Sequence, residues 1–501
     1  MPRNPDRQAW RWQASLIVLA AALLAFVLVP TQADNDLWGH LRFGLDILET
    51  HSVPTVDHYS FTEAGAPWID DEWLSEALYA LLWKAWGAAG LVTLKIALAL
   101  LTGILCYWHL ASSGVSSART VLVLPMLALL LPPFFMVRPL EFTIPAFAFT
   151  LIVIYRVEHG ASAAALWALP PVYALWVNLH GGLLAGLAIL GMWAAARAVV
   201  HREWLQAGLP VAATFASISL TPYGWRLPVF LFHAVSAPRP EIVEWEPLRI
   251  TSPYGAMYAA VLALSIAGLI LSRMEKSPWL LAIFGITSLL PFAALRHAPL
   301  SAIAAVVLAG PHVGDMWKRI AEGTRPPAGR SMFIPGWAPL LPLICAAAFV
   351  MAAVRQPMHI SVSNQYPVKA ANFLSASGIE GDLIHRFNWG EYLLWRLEPR
   401  MKVMIDGRRE TVYSDDVYQR CFQFQTGTGD WDSLIRQYRP DVALLEKDSV
   451  SANLFRLKTD WAEVYQDDVA VIFVRRDTAA ADRLARTART NTRASESFQF
   501  P

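Results

Sequence analysis

Residues 34–42 read Asp-Asn-Asp-Leu-Trp-Gly-His-Leu-Arg, so two carboxylates, an indole, an imidazole and a guanidinium follow directly on a long apolar run that ends near Pro30. Further acids and bases stand at the ends of later apolar runs: Asp70-Asp71-Glu72, Arg138 with Glu141, Asn178 with His180, and Arg296-His297. A charge at the bilayer centre costs roughly 2.5–3.5 kcal/mol on insertion scales, so such groups persist where they are solvated or used. Carboxylates facing Arg and His suit transfer from a lipid-phosphate donor. A carboxylate accepts the proton of an attacking hydroxyl or amine, while Arg and His neutralise the departing phosphate. On this reading Asp36 or Asp34 is the base, and Arg138, His180, Arg296 and His297 hold the phosphate. Asp70, Asp71 and Glu72, with Asp406 and Arg408 of "MIDGRRETVY", complete the substrate-binding set. Outside the cytoplasm nucleotide sugars are lacking. The expected donor is therefore a polyprenyl-phosphate sugar, and the acceptor a glycan, lipid or protein.

Each group also has a plainer reading. Asp36 could cap a helix running "LWGHLRFGLDILE", and the acids at 70–72 could open the helix at Trp73. His180, set among small residues, could be an interhelical hydrogen-bonder. Arg138 and Arg296 could snorkel to the interface, and "DGRR" could be a solvated turn.

The chain around these groups is apolar: 501 residues, 55% hydrophobic, 16% charged, with 21 Trp, a composition that points to a multi-spanning membrane protein. The formal charge of +1 gives no sign of a nucleic-acid partner. Three scattered cysteines offer neither a metal spacing nor a disulfide framework. About eleven runs approach the length needed to cross a bilayer, near 13–31, 88–110, 119–137, 140–156, 163–179, 181–200, 205–221, 254–272, 278–295, 298–312 and 335–354. The first follows Arg3, Arg7 and Arg11 and reads as a retained signal anchor with a cytoplasmic N-terminus. Alternate loops then carry Arg119; Arg156; Arg197 and Arg202; Arg273 and Lys276; and Lys318, Arg319, Arg325 and Arg330, as the positive-inside rule asks. The expected domains are a transmembrane bundle over 1–355 with a first outer loop at 32–87, an outer α/β domain over 356–476, and a disordered tail over 477–501. Within the outer loop, Trp73–Ala88 has the spacing of an amphipathic helix on the membrane surface, and Trp38 is expected to be an interfacial anchor. The α/β domain is expected from apolar runs at 382–387, 402–406, 441–446 and 469–476 alternating with helical patterns.

Together "DNDLWGHLRFG", "SVPTVDHYSFTEAGAPWIDDEWLSE", "WVNLHGG", "TPYGW" and "NWGEYLLW…VMIDGRRETVY" resemble a group of bacterial multi-spanning glycosyltransferases of the GT-C superfamily, relatives of protein mannosyltransferases and aminoarabinose transferases. The resemblance covers roughly residues 13–476. It implies a GT-C fold and a catalytic carboxylate beside span one, hence Asp34 or Asp36, while the odd number of spans and the basic loops put the C-terminal domain outside, periplasmic or extracellular if the membrane is a bacterial inner membrane. Some relatives use a divalent metal, for which Asp34 and Asp36 would be the ligands, and others do not. Gly39 departs from the aromatic residue that often follows the tryptophan in this group. Two other functions share much of this pattern: a polymerase or ligase moving lipid-linked glycans in envelope polysaccharide assembly, and a non-catalytic transporter or scaffold.

Overall fold

The computed structural model describes residues 5–116, 119–120, 123–201, 204–234, 243–323, 340–355, 358–476 and 478–490. Arg3, Arg202, Arg239, Arg325, Arg330 and the tail from 491 lie outside them. The chain divides into two units, Met1–Pro30 with Val92–Met358, and Thr31–Leu91 with His359–Pro501.

The first unit is helical. Each of the eleven apolar runs coincides with helix, whole or in part. Among the described residues four helices are long and apolar enough to cross a membrane: Ala88–Ser112, Leu140–Glu158, Pro253–Leu271 and Leu295–Glu322. Others are shorter or broken at proline; the run at 119–137 yields Pro125–Leu130 and a turn at Pro132–Phe134. Helices meet where small residues let them approach. A Cβ on Gly268 would lie 2.5 Å from Val313, and one on Gly314 would lie 2.7 Å from Val115.

The second unit is built on a mixed sheet. In chain order its strands are β1 (Thr31–Gln32), β2 (Ile360–Ser361), β3 (Gly381–His385), β4 (Met401–Val403), β5 (Val442–Glu446), β6 (Trp461–Gln466) and β7 (Ala470–Arg475). The main sheet has the order β4-β3-β5-β7-β6, with β4, β3 and β5 parallel and the β6–β7 hairpin antiparallel. Nearly continuous apolar runs, "VALL" in β5 and "AVIFV" in β7, leave these two strands buried along almost their whole length, as strands covered on both faces are. β6 escapes the sequence reading because its outer residues alternate poorly. The tail also differs from expectation: Ala479–Thr490 is a helix whose Ala480 and Leu484 are buried against the sheet. Its alanines and Leu484 recur at helical spacing, which a composition-based judgement of disorder overlooks.

The larger difference concerns residues 32–87. They join the C-terminal unit rather than the helical one. β1 pairs with β2. Tyr59–Phe61 lies along the free edge of β4, with the Phe61 N–H donating to Val403 O at 3.0 Å and the Val403 N–H to Tyr59 O at 3.2 Å. The helix Trp73–Trp86 packs on Leu37–Thr50. The contact is close enough that a Cβ on Gly44 would stand 2.0 Å from Glu76 O. Trp38 is an interior residue with no exposure, packed on Tyr366 and Tyr392 at 4.6 Å and 5.2 Å between ring centroids; it is not an interfacial anchor.

Arg408 ties these segments together. Its guanidinium is buried and donates to Asp57 at 2.8 Å and to both oxygens of Asp406 at 2.6 and 2.9 Å. The rings of Phe43, Tyr59 and Trp68 surround it at 4.8, 5.0 and 4.5 Å. Asp57 also accepts from Tyr59 N–H, Ser60 N–H and Ser60 Oγ, and Asp406 from Arg408 N–H and Tyr413 OH. Removing one partner of a buried ion pair strands the other charge, at about 3–5 kcal/mol. Arg408→Met should therefore lower the melting temperature of the purified full chain sharply. Arg408→Lys should restore only part, because an ammonium cannot reproduce the fork; thermal melts of the two variants against wild type check this.

Candidate functional site

The site starts where the helix Leu37–Thr50 starts. Asp36 occupies the N-cap position with φ −90° and ψ −7°, and its side chain makes no capping hydrogen bond. The local turn is closed by its neighbour, since Asp34 Oδ1 accepts the Asp36 N–H at 3.1 Å. Glu391, in the first turn of Gly390–Leu397 after β3, reaches the same place. Its Oε2 accepts the Gly39 N–H at 3.1 Å. Its Oε1 and Asp36 Oδ1 lie 2.5 and 2.6 Å from the point a Cβ on Gly407 would occupy, so the two carboxyl groups share one small space. A Cβ on Gly39 would meet the Glu391 carboxyl at 2.3–2.8 Å. Glycine at 39 and 407 is thus what makes room for these acids, and Gly39 is no gap in an aromatic pocket. Glu391 and the Asp406–Arg408 turn come from the carboxyl ends of adjacent parallel strands, the usual place for ligands in such sheets.

Beside this pair lies a second acid group. His40 Nδ1 is 2.9 Å from Glu76 Oε1, its Nε2 is 3.8 Å from Glu72 Oε2, and Glu76 in turn shares a hydrogen bond with Asp70. Burial pushes Glu76 up to about 8, with the Asp70 hydrogen bond and the Arg408 charge acting against it and Asp71 adding to it. Burial and the Glu76 charge push Asp70 well up, and burial with Asp71 does the same to Glu72. Glu391 is raised by burial and then by the charges of Asp36 and Asp406, against Arg408. His40 goes the other way: burial lowers it more than Asp36, Asp34 and Asp70 raise it. In all four carboxyl groups burial is the largest cause, and it favours the protonated form.

The expected residues divide between the units. Asp34, Asp36, Asp70, Asp71 and Glu72 gather in the second unit with Asp406 and Arg408, although the last two are consumed in the buried ion pair. In the first unit Arg138 forks onto Glu244 at 2.7 and 2.8 Å, and Arg296 lies 4.6 Å over the Trp245 ring. Glu244 is pushed up by burial, yet held below its ordinary value by its hydrogen bonds to Arg138 and by the charges of Arg138 and Arg296. His297 follows at the head of Leu295–Glu322. His180 Nδ1 accepts the Gly182 N–H at 3.0 Å and meets Thr143 Oγ1 at 2.7 Å, so it bonds between helices. Sequence reading left Glu391, His40 and Glu76 without roles. The signal lay in an acid adjoining a glycine, "GE" in one segment and "DG" in another, whose meeting only the fold supplies. Among the described residues no three His, Cys, Asp or Glu side chains are grouped to hold a metal ion.

No protein-family model matches the chain, and no curated protein matches it in sequence. In fold it is similar to the archaeal oligosaccharyltransferase AglB from Archaeoglobus fulgidus, solved with an inhibitory peptide and a dolichol-phosphate: TM-score 0.57 and 11% identity, over 88% of this chain and 70% of that one.

The raised acids set a pH dependence. A carboxyl whose folded pKa exceeds its unfolded value favours folding fully below the unfolded pKa, and loses that advantage as pH rises through the folded one. For Glu76 that window runs from about 4.5 to about 8. Melting temperature should fall as pH is raised across it, and Glu76→Gln should flatten the slope, which melts in a pH series would show.

Proposed function

We propose that the protein is an integral-membrane glycosyltransferase that moves a sugar from a polyprenyl-phosphate donor to an extracytoplasmic acceptor, with Asp36 as the base. The observation that carries this is the turn at Asp34–Gly39. Asp34 serves the local turn, whereas the half-buried Asp36 carboxyl makes no capping hydrogen bond and shares the space at Gly407 with Glu391. The likeness of fold to a transferase solved with a lipid phosphate supports the donor class. In the reaction Asp36 takes the proton of the acceptor hydroxyl or amine, the acceptor's electron pair forms the new bond to the sugar C1, and the C1–O bond breaks. The polyprenyl phosphate leaves with that electron pair. Arg138 and Arg296 are guanidinium groups suited to its charge and His297 a hydrogen-bond donor for it, while Asp70, Asp71 and Glu72 are the acids proposed to bind substrate.

The membrane is a bacterial inner membrane with the acid-rich unit outside. A second reading keeps the site and enlarges the donor: the neighbour is by name an oligosaccharyltransferase, which favours a lipid-linked glycan moved whole, as a polymerase or ligase does.

General-base catalysis contributes about 10²–10⁴-fold. Complementing a strain deleted for the gene with Asp36→Asn should lower its surface glycan by at least about a hundredfold at normal protein level, while Asp34→Asn should retain more. Full glycan with Asp36→Asn would leave a transporter or scaffold as the function.

A further inference from the structure

The guanidinium groups assigned to the phosphate come with a carboxylate. Glu244 lies in the single turn Val243–Trp245 of the helical unit, and Arg138 donates to it through Nη1 and Nη2 at 2.7 and 2.8 Å. The next residue, Trp245, carries the Arg296 guanidinium 4.6 Å over its ring. Backbone bonds pin this stretch to the turn that bears Arg296: the Leu248 N–H donates to Pro291 O and the Leu295 N–H to Glu246 O, both at 2.9 Å. Glu244 is thus held by its backbone as well as by the fork. Burial works against its ionised form, but the Arg138 hydrogen bonds and the charges of Arg138 and Arg296 outweigh that, so it stays a carboxylate at neutral pH. Its side chain is 28% exposed and that of Arg138 13%, so the pair borders solvent.

A fixed carboxylate beside guanidinium groups repels the anion they attract, in proportion to the charge that anion carries. Donor and product differ in that charge. A sugar joined through one phosphate to a polyprenol is a phosphodiester with a single negative charge. The polyprenyl phosphate left after transfer is a monoester carrying about 1.5–2 negative charges at pH 7, and a donor carried on a diphosphate bears at least two. We propose that Glu244 is a specificity residue of the phosphate site: it limits the negative charge the site accepts, so that a singly charged phosphodiester donor is held, a diphosphate-linked donor is refused and the more highly charged product is released. This rests on the reading that Arg138 and Arg296 bind the donor phosphate. A unit charge about 6 Å away, in surroundings as polarisable as water, changes affinity about threefold for each charge on the ligand. Glu244→Gln removes the charge while keeping the shape and an oxygen acceptor for Arg138. It tightens the binding of every phosphate, and of the multiply charged ones most. A residue that only orients Arg138 gives the opposite sign, because a loosened fork weakens all phosphates alike.

The test uses the purified full chain in detergent and three ligands that share a chain and differ in charge: geranylgeranyl phosphate, its monomethyl ester and geranylgeranyl diphosphate. Titration calorimetry at about pH 8, where the monoester is doubly ionised, gives their dissociation constants for wild type, Glu244→Gln, Glu246→Gln and Arg138→Gln/Arg296→Gln. In Glu244→Gln, affinity for the monoester and the diphosphate should rise at least about threefold more than affinity for the methyl ester. Glu246, whose carboxylate pairs with Arg249 at 3.0 Å, is the control, and Glu246→Gln should leave the ratios within about twofold of wild type. Ratios are taken within one preparation, so a smaller folded fraction does not alter them. An equal change for all three ligands in Glu244→Gln, or weaker binding of all, overturns the selecting role alone. Ratios moved as far by Glu246→Gln show a general charge effect and overturn it too. Undiminished binding in Arg138→Gln/Arg296→Gln, or a wild type that binds none of the three, removes the phosphate site itself and this inference with it.

Discussion

The second unit depends on burying one guanidinium. A lone charge in an apolar interior is costly, and Arg408 avoids that cost only because two carboxylates and three aromatic rings are brought to it from widely separated segments. Phe43 comes from the helix Leu37–Thr50, Asp57, Tyr59 and Trp68 from the segment before the helix Trp73–Trp86, and Asp406 from just after β4. None of these segments could bury its share alone. Asp57 would be an unpaired buried charge, and β4 would have an open edge where Tyr59–Phe61 now lies. The ion pair need not be a large net gain in stability to fix which segments meet. Its consequence is geometric: it locks the Asp406-Gly407-Arg408 turn, and Gly407 forms part of the space that Asp36 and Glu391 share.

That consequence explains how acids can be crowded without the fold bursting. Like charges in a small buried space cannot all ionise. Arg408 supplies a positive charge that acts on both Glu391 and Glu76, yet burial still favours the protonated form of each. The region is therefore one coupled acid cluster, in which the state of any carboxyl depends on its neighbours. His40 fits the same logic. Buried among acids yet lowered by desolvation, it can donate through one ring nitrogen to Glu76 while the other faces Glu72.

Much of this was legible in the sequence. The eleven apolar runs fall on helix, whole or in part, with four helices among the described residues long and apolar enough to cross a membrane, and the runs at 382–387, 402–406, 441–446 and 469–476 match β3, β4, β5 and β7, because long apolar runs and buried strands announce themselves by composition. What stayed hidden has a common cause. Loop residues 32–87 show no local sign that they belong with strands more than three hundred residues later, since pairing at an edge is a property of two segments. Arg408, expected to bind substrate or else to sit in a solvated turn, holds a buried ion pair that was hidden for the same reason: "DGRR" contains one of its two carboxylate partners but not Asp57 or the rings. Glu391 was visible as an acid and invisible as a cap. Trp38 was misjudged because an indole near an apolar run suits an interface and an interior equally, and only Tyr366 and Tyr392 decide between them.

The glycines carry the last step. Three segments that hold acids, around 36–40, 390–391 and 406–407, approach one another at backbone distance, and in each the residue at the point of approach is glycine: Gly39, Gly390 and Gly407. A methyl group at any of them would fall between 2.0 and 3.0 Å from a carbonyl or a carboxyl oxygen, closer than real Cβ atoms come. Helix propensity argues against glycine at 39 and 390, each at or near the first turn of a helix. A fold that needed only a stable helix would put alanine there. Glycine is retained because the site is made of backbone proximity: its carboxyl groups can share a space only if the chains bearing them have nothing in between. The same closeness is what hands the Gly39 N–H to Glu391.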